Sequence, residues 1–222
     1  MTHRHAFDAI AHRYAGSHGG LDSVYAAARP HLERLIAGRA VLDVGGGGVT
    51  PYDASRAASL TVLDESAAML ARLPEGRARK VAGDAGDMSM FADASFDLVL
   101  FNQSLHHVMD APAALREAWR VLRPGGDLVI HEPTARPLFA TALKALSSLL
   151  SRAAPVRLRT RDAIVAALAG ASGRAPESVE VIRLSPRGWA DPFGGTFPGK
   201  VRLPMFLHPT RFELLLLPKP RG

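Results

Sequence analysis

The chain has 222 residues, of which 47% are hydrophobic and 22% are charged, and it contains no cysteine. This composition is typical of a globular domain and excludes a disordered or fibrous chain, a disulfide framework, a thiolate metal site and a cysteine nucleophile. The formal net charge is +6, but the basic residues are scattered and only 6% of the residues are aromatic. Nucleic-acid binding is therefore not expected, because it usually requires clustered cations with aromatic side chains between them.

The sequence also bears on membrane and metal binding. No segment approaches the roughly 20 uninterrupted apolar residues that a membrane-spanning helix needs, and residues 1–5 lack the apolar run of a secretory signal. We therefore expect a cytoplasmic protein without a membrane span. Among the N-terminal histidines only His5 and His12 share a helical face, and no acidic triad accompanies them, so no metal site is expected.

The spacing of apolar residues predicts the elements in chain order. Two N-terminal helices are expected at 4–15 and 22–36, and Gly38 ends the second. Short apolar runs then predict strands at 40–44, 60–63, 78–82, 96–101 and 128–130, with helices at 51–58, 66–73 and 112–122 between them. Ser66 and Asp110 are expected to cap the last two of these helices. Strands that are apolar on both faces and are separated by helices indicate a parallel sheet covered on both sides.

The pattern is less regular after residue 132. An apolar helix is expected at 137–150, as the core of a cap or as a dimer face, and a more polar helix at 161–169. Residues 179–184 and 212–217 predict two final strands that pair at the edge of the sheet. The segment 185–210 is too long for an idle connection, so we expect a lid or a packed irregular loop there.

A glycine turn follows the first predicted strand and is the strongest functional motif. The stretch 41–48 is an apolar strand that carries Asp43 near its end and continues into four glycines. Glycines are needed where a ligand approaches the backbone so closely that a Cβ would collide with it. Asp64 closes the second strand, where its carboxylate can accept both hydroxyls of a ribose, and Gly83-Asp84-Ala85 closes the third. A glycine turn alone does not distinguish NAD, FAD and S-adenosylmethionine sites.

Histidines follow the fourth and fifth strands, at the edge of the sheet where open α/β folds bind ligands. His106 and His107 follow strand four, and His131-Glu132 ends strand five. A histidine there can take a proton from a hydroxyl group of a substrate. Because neighbouring helical residues point about 100° apart, we expect at most one of the first pair to face the substrate, and we favour His106 over His107. The alternative is that these histidines only pack against the ligand.

In this order and spacing the motifs resemble the class I S-adenosylmethionine-dependent methyltransferases, most closely the small-molecule enzymes of ubiquinone and menaquinone biosynthesis. The resemblance covers about residues 6–132 and also includes Phe7-Asp8-Ala9-Ile10-Ala11-His12-Arg13-Tyr14, Phe96-Asp97-Leu98-Val99-Leu100-Phe101-Asn102, Leu105-His106-His107-Val108 and Leu122-Arg123-Pro124-Gly125-Gly126-Asp127-Leu128. It implies that Tyr14 closes over the cofactor and that Asp43, Gly45 and Gly47 hold its methionine end. It also implies that Asp64 binds the ribose, that Asp84 and Ala85 bind adenine, and that Asn102 lies beside the cofactor. The third glycine of the family motif falls at Val49, unless Gly48 takes its place.

The resemblance implies a single Rossmann-like α/β domain with a seven-stranded, mostly parallel sheet and an antiparallel edge. We expect N-terminal cap helices over 1–38, a cofactor-binding core over 39–132, a helical cap over 133–175, and a hairpin with a lid loop over 176–222. The expected activity is methyl transfer from S-adenosylmethionine to a small organic acceptor, with His106 or His131 as the base. The alternatives are a cyclisation or rearrangement on the same fold, an RNA methyltransferase and an NAD-linked oxidoreductase. A homodimer is compatible with the apolar segment at 137–150.

Overall fold

A computed structural model of the chain describes residues 8, 22–48, 50–135, 161–172, 179–184, 189–190, 203–204 and 210–221. Tyr14 and Val49 lie outside the described residues. So do the helix expected at 137–150, nearly all of the helix expected at 4–15, and most of the segment 185–210.

Seven strands form one mixed sheet. They are β1 (Ala40–Val44), β2 (Ser59–Asp64), β3 (Arg79–Ala82), β4 (Phe96–Asn102), β5 (Leu122–Ala135), β6 (Glu180–Leu184) and β9 (Thr210–Pro218), and two short strands, β7 (Trp189–Ala190) and β8 (Leu203–Pro204), pair separately. The order across the sheet is β3-β2-β1-β4-β5-β9-β6. Strands β1 to β5 are parallel, and β9 runs antiparallel to both β5 and β6. The predicted Rossmann-like sheet with an antiparallel pair at its edge is therefore confirmed, and the reversed strand is the inner one of that pair.

Helices cover both faces of the sheet. They are α1 (Asp22–Ile36), α2 (Ala67–Leu70), α3 (Ala111–Val121) and α4 (Arg161–Ser172). The alternation along β4 shows the two layers, because Leu98 and Leu100 pack in one apolar cluster with α1, whereas Val99 and Phe101 pack in a second cluster with α3 and α4. Part of the segment expected to form a cap, the helix α4, thus packs on the core beside α3. The placement of the rest of that cap stays a prediction.

Local sequence determines where several of these elements begin and end. The hydroxyl of Ser66 accepts a hydrogen bond from the Met69 amide at 3.1 Å, and the Asp110 carboxylate accepts one from the Ala113 amide at 2.9 Å. Both predicted N-caps are confirmed. Gly38 has a φ of +69°, a left-handed conformation that glycine adopts without strain after the end of a helix.

The helix predicted at 51–58 is wrong. Only a short 3₁₀ helix forms there, at Ala54–Arg56, and the Asp53 side chain accepts hydrogen bonds from the backbone and side chain of Ser55. Such local bonds compete with the helical ladder. Tyr52 is buried instead of lying on an exposed helical face, because its hydroxyl reaches back to Asp43. The helix predicted at 66–73 is shorter as well, ending at Leu70.

The strand order positions the site. The connections run outward from β1 on one side and from β4 on the other, so the direction of winding changes between these two neighbours. Open α/β sheets bind ligands at the carboxyl ends of the strands at such a switch point. No helix among the described residues is long and apolar enough to cross a membrane.

Candidate active site

A cleft opens at the carboxyl ends of β1, β2 and β4. Its lining includes the glycine turn 45–47, Asp64 with Glu65, Gly83 with Ala85, the segment 102–104, His107 with Val108, Met69, and Tyr25 from α1. Five of the residues predicted to contact the cofactor therefore lie together: Gly45, Gly47, Asp64, Ala85 and Asn102. The parallel register brings them to one edge of the sheet although they are far apart in the chain.

At each of the glycines 45–47, a side chain would need space that a neighbouring side chain already occupies. A Cβ on Gly45 would lie 2.6 Å from the Ser104 Cβ, and a Cβ on Gly47 would lie 2.5 Å from a carboxylate oxygen of Asp64. Gly45 also has a φ of +74°, a conformation that side chains oppose. Gly46 lines the cleft too, and there a Cβ would meet the Asp43 carboxyl at 2.7–2.9 Å. A side chain at any of these three positions would thus collide with Ser104, Asp43 or Asp64, so the turn requires glycine.

The Asp64 carboxylate is fixed at the entrance of the cleft. One oxygen accepts the Gly47 amide at 3.0 Å and the other accepts the Ser66 amide at 2.8 Å. Burial raises the pKa of this carboxyl, while the two amide bonds partly oppose that rise. The Ser66 hydroxyl in turn lies 2.5 Å from a carboxylate oxygen of Asp8, which brings the N-terminal segment next to the predicted ribose site.

The residues after β3 divide into a lining residue and a turn residue. Ala85 is buried and lines the cleft. Asp84 is exposed, is not part of the lining, and accepts the Gly86 amide at 2.7 Å. Its carboxylate therefore stabilises the turn that carries Ala85, and a contact between Asp84 and adenine stays a prediction.

Asp43 lies beneath the glycine turn and is completely buried. The Tyr52 hydroxyl donates to one of its carboxylate oxygens at 2.5 Å, and the other oxygen has no hydrogen-bond partner within the part of the chain that the structure describes. Burial raises the pKa of Asp43 to about 7, the Tyr52 bond opposes this, and the charge of Asp64 adds to it. Sequence reasoning missed Tyr52, and the one indication of it was an aromatic residue in the loop after the glycines.

A buried carboxylate joins the ends of β4 and β5. One oxygen of Glu132 accepts the amides of Ser104 and Leu105, at 2.8 and 2.6 Å, and the other lies 2.5 Å from Nδ1 of His106. Since a carboxylate can only accept, Nδ1 of His106 carries the hydrogen and Nε2 carries the lone pair. Glu132 thus fixes both the orientation and the tautomer of His106, in the way that a carboxylate orients the histidine of a catalytic pair.

The two neighbouring histidines have different positions. His107 lines the cleft, whereas His106 does not, and its side chain is only 11% exposed. The two rings lie 3.9 Å apart between centroids. His106 thus has the carboxylate partner, and its ring contacts that of the histidine that lines the cleft. The assignment of His106 as the base stays a prediction.

His131 is a poor candidate for the base. It is completely buried, and its Nδ1 lies 2.7 Å from the Asn102 side-chain oxygen. Burial lowers the pKa of His131 to about 3, so the ring is neutral near physiological pH and binds a proton weakly. In the structure His131 is a buried hydrogen-bond partner of Asn102, and this position argues against the predicted catalytic role. No cluster of three metal-ligating side chains occurs within the part of the chain that the structure describes.

Comparisons with known proteins identify the family of the chain. A family model described as a methyltransferase domain matches residues 42–130. A demethylmenaquinone methyltransferase from Mycobacterium marinum is 34% identical over 191 residues, which are 83% of this chain and 77% of that protein. A solved S-adenosylmethionine-dependent methyltransferase from Thermotoga maritima aligns over 97% of this chain and 99% of its own, with a TM-score of 0.66 and 16% identity.

A second solved structure contains bound ligands. It is a 1,6-didemethyltoxoflavin-N1-methyltransferase from Burkholderia thailandensis in complex with 1,6-didemethyltoxoflavin and S-adenosylhomocysteine. It aligns over 98% of this chain and 87% of its own, with a TM-score of 0.64 and 19% identity.

The chain belongs to the class I S-adenosylmethionine-dependent methyltransferases. Within this class it is of the type found in menaquinone biosynthesis, and it transfers a methyl group from S-adenosylmethionine to a small organic acceptor. The residues present fit this cofactor, because the glycine turn lines the cleft and Asp64 presents a fixed carboxylate beside it. The cyclisation, RNA-methylation and oxidoreductase alternatives are not favoured.

Proposed function

We propose that the acceptor is a prenylated naphthoquinol of the demethylmenaquinone type and that the methyl group is added to a ring carbon. The acceptor named in the relatives supports this choice. The observation that carries the chemistry is the pair formed by His106 and Glu132 beside the cleft. A quinol ring carbon becomes a strong nucleophile when the neighbouring hydroxyl loses its proton, and a positioned base supplies that step.

The protein has two main tasks in this reaction: to hold the acceptor in place and to remove its hydroxyl proton. S-adenosylmethionine, when bound, supplies an activated methyl group on a sulfonium. His106 takes the hydroxyl proton at Nε2, and the charge of Glu132 stabilises the imidazolium that results. The quinolate carbon would then bond to the methyl carbon as the methyl–sulfur bond breaks, which would release S-adenosylhomocysteine, and the ring would lose its hydrogen as a proton to restore aromaticity. The buried strand ends around the cleft exclude water and hold the acceptor in line.

The experiment is a turnover assay with S-adenosylmethionine and a chemically reduced, short-chain demethylmenaquinone. Mass spectrometry should show a product heavier by one CH2, together with S-adenosylhomocysteine. His106→Ala should lower kcat by roughly 10²–10⁴-fold and remove the part of the pH dependence of the rate that comes from its proton transfer. His31→Ala, a substitution on α1, is the control and should retain both the rate and the pH profile.

Three results would contradict this proposal. Methylation of other small molecules but not of the quinol would refute the acceptor. Full activity of His106→Ala with the wild-type pH profile would refute the base. A large loss in His107→Ala alone would assign proton transfer to the histidine that lines the cleft.

The proposal extends to the setting of the enzyme. We propose that it works in the cytoplasm, does not bind nucleic acid, and forms a homodimer. Light scattering during gel filtration tests the dimer. A mass of one chain, 23.7 kDa, at every concentration would refute it.

A further inference from the structure

The Asp43 carboxyl forms the underside of the cleft. It is completely buried, and its atoms would lie 2.7–2.9 Å from a Cβ placed on Gly46, whose backbone lines the cleft from above. One layer of glycine backbone therefore separates this carboxyl from the ligand space. One of its two oxygens has no hydrogen-bond partner among the described residues. A buried polar atom without a partner is costly, and its position beneath a ligand cleft indicates that a ligand compensates for it.

Among the described residues, Tyr52 is the one side chain that bonds to this carboxyl. It is 5% exposed, it packs in the apolar cluster below α1, and its hydroxyl donates to Asp43 at 2.5 Å. A hydrogen bond of this kind favours the ionised carboxylate over the neutral acid. Tyr52 lies in the loop at 51–58, which is not a regular helix, and in this conformation its hydroxyl reaches Asp43.

The Asp43 carboxyl lies near another acidic group and has no neighbouring cation among the described residues. The groups that face it are the Tyr52 phenol from the loop after β1 and the Asp64 carboxylate from the end of β2. Within the described residues, Asp43 forms no salt bridge with a lysine, arginine or histidine. Two neighbouring carboxyls without a cation are complementary to a cationic ligand. S-adenosylmethionine carries two positive groups, a sulfonium and an ammonium.

We infer that Tyr52 is a positioning residue of the cofactor site, which holds the Asp43 carboxylate beneath the glycine turn, and that binding of the cationic cofactor is coupled to release of a proton from Asp43. Burial places the pKa of Asp43 at about 7, so the free protein holds this proton in part at neutral pH. A cation in the cleft favours the ionised form and displaces the proton. This inference concerns the cofactor alone and does not depend on the identity of the acceptor.

Calorimetric titration with S-adenosylmethionine, without any acceptor, tests the inference. Titrations at pH 7 in two buffers of different ionisation enthalpy give the number of protons released, and the wild-type protein should release a measurable fraction of one proton. Tyr52→Phe keeps the ring and removes the hydroxyl, which should raise the pKa of Asp43 by about one. Ionisation then falls from about half to about a tenth at pH 7, so the affinity should drop about fivefold at pH 7 and less than about twofold at pH 9.

A comparison in the Asp43→Asn variant distinguishes a positioning role of Tyr52 from a packing role. In Asp43→Asn the carboxyl cannot titrate, so adding Tyr52→Phe should no longer change the affinity in a pH-dependent way. Asp64 is retained in every variant, and any proton release that persists in Asp43→Asn belongs to it. An equal loss of affinity at pH 7 and pH 9, or an unchanged loss in the Asp43→Asn background, would overturn the inference. Absence of proton release from the wild-type protein would also overturn it. If Asp43→Asn fails to fold, the wild-type release and the pH dependence of Tyr52→Phe still decide.

Discussion

Replacing Asp43 by asparagine should stabilise the cofactor-free protein at pH 8. The carboxyl is completely buried, has one oxygen without a partner, and lies near Asp64. Its pKa is raised from 3.8 to about 7 in the folded state. The folded protein therefore keeps this proton to a higher pH than the unfolded chain does, and stability is lost as the pH rises between those two values.

The pKa values determine the size of this effect. One pKa unit corresponds to about 1.4 kcal/mol, so the raised pKa of Asp43 destabilises the folded state by roughly 4 kcal/mol at pH 8, where the carboxyl is ionised. At pH 5 the penalty is roughly 2 kcal/mol, because the folded protein holds a proton that the unfolded chain has largely lost. The asparagine side chain removes this cost, but its amide group takes the position without a partner and loses about 1–3 kcal/mol. Asp43→Asn should thus be more stable than the wild type at pH 8, and its advantage should shrink by roughly 2–3 kcal/mol at pH 5.

Urea unfolding followed by circular dichroism, at pH 5 and pH 8 without cofactor, measures this difference. Asp87→Asn is the surface control, because that carboxylate is exposed, and it should leave the pH dependence of stability unchanged. A free energy of unfolding for Asp43→Asn that differs from the wild type by the same amount at both pH values would refute the reasoning. It would show that the buried carboxyl is compensated in the folded state.

The remaining predictions concern the cleft. Asp64→Ala should weaken S-adenosylmethionine binding by about 2 kcal/mol in calorimetric titration, because charged hydrogen bonds to the ligand are lost; equal affinities would remove Asp64 from the site. Gly47→Ala should abolish cofactor-induced thermal stabilisation, since the new Cβ would lie 2.5 Å from Asp64, and a normal ligand shift would show that the turn can move. The His131 imidazole should not titrate between pH 5 and pH 9 in NMR spectra, because burial holds its pKa at about 3, and a titration near pH 6.5 would place the ring in contact with water.

Most of the fold was predictable because its determinants are local. Apolar runs that cannot face water on either side predict buried parallel strands, and β1 and β4 lie where those runs are. Ser66 and Asp110 cap helices through bonds that span three residues. The helix predicted at 51–58 does not form, because that segment depends on a tertiary contact. Tyr52 is buried there and its hydroxyl bonds to Asp43.

The parts of the candidate site that could be predicted are those where the position in the fold allows only one kind of residue to do the job. Glycines at 45–47 and an acid at the end of β2 follow from what a ligand needs at a strand end, and the cleft contains both. The preference for His106 over His107 rested on helical directions, and the structure puts His107 in the lining. A three-residue 3₁₀ turn carries the pair, and its orientation follows from its contacts with Glu132.

By itself the sequence determined the class of fold, the glycine turn and the acids at the strand ends, because steric clashes and hydrophobic periodicity act within a few residues. Only the tertiary structure decided that Glu132 orients His106, that Asn102 bonds to His131 and that Tyr52 holds Asp43. The first two contacts join residues 26 and 29 positions apart, and they exist because β4 and β5 are neighbours in one register. The pKa values of Asp43 and His131 have the same origin, since the depth of burial depends on how the whole sheet and its helices pack.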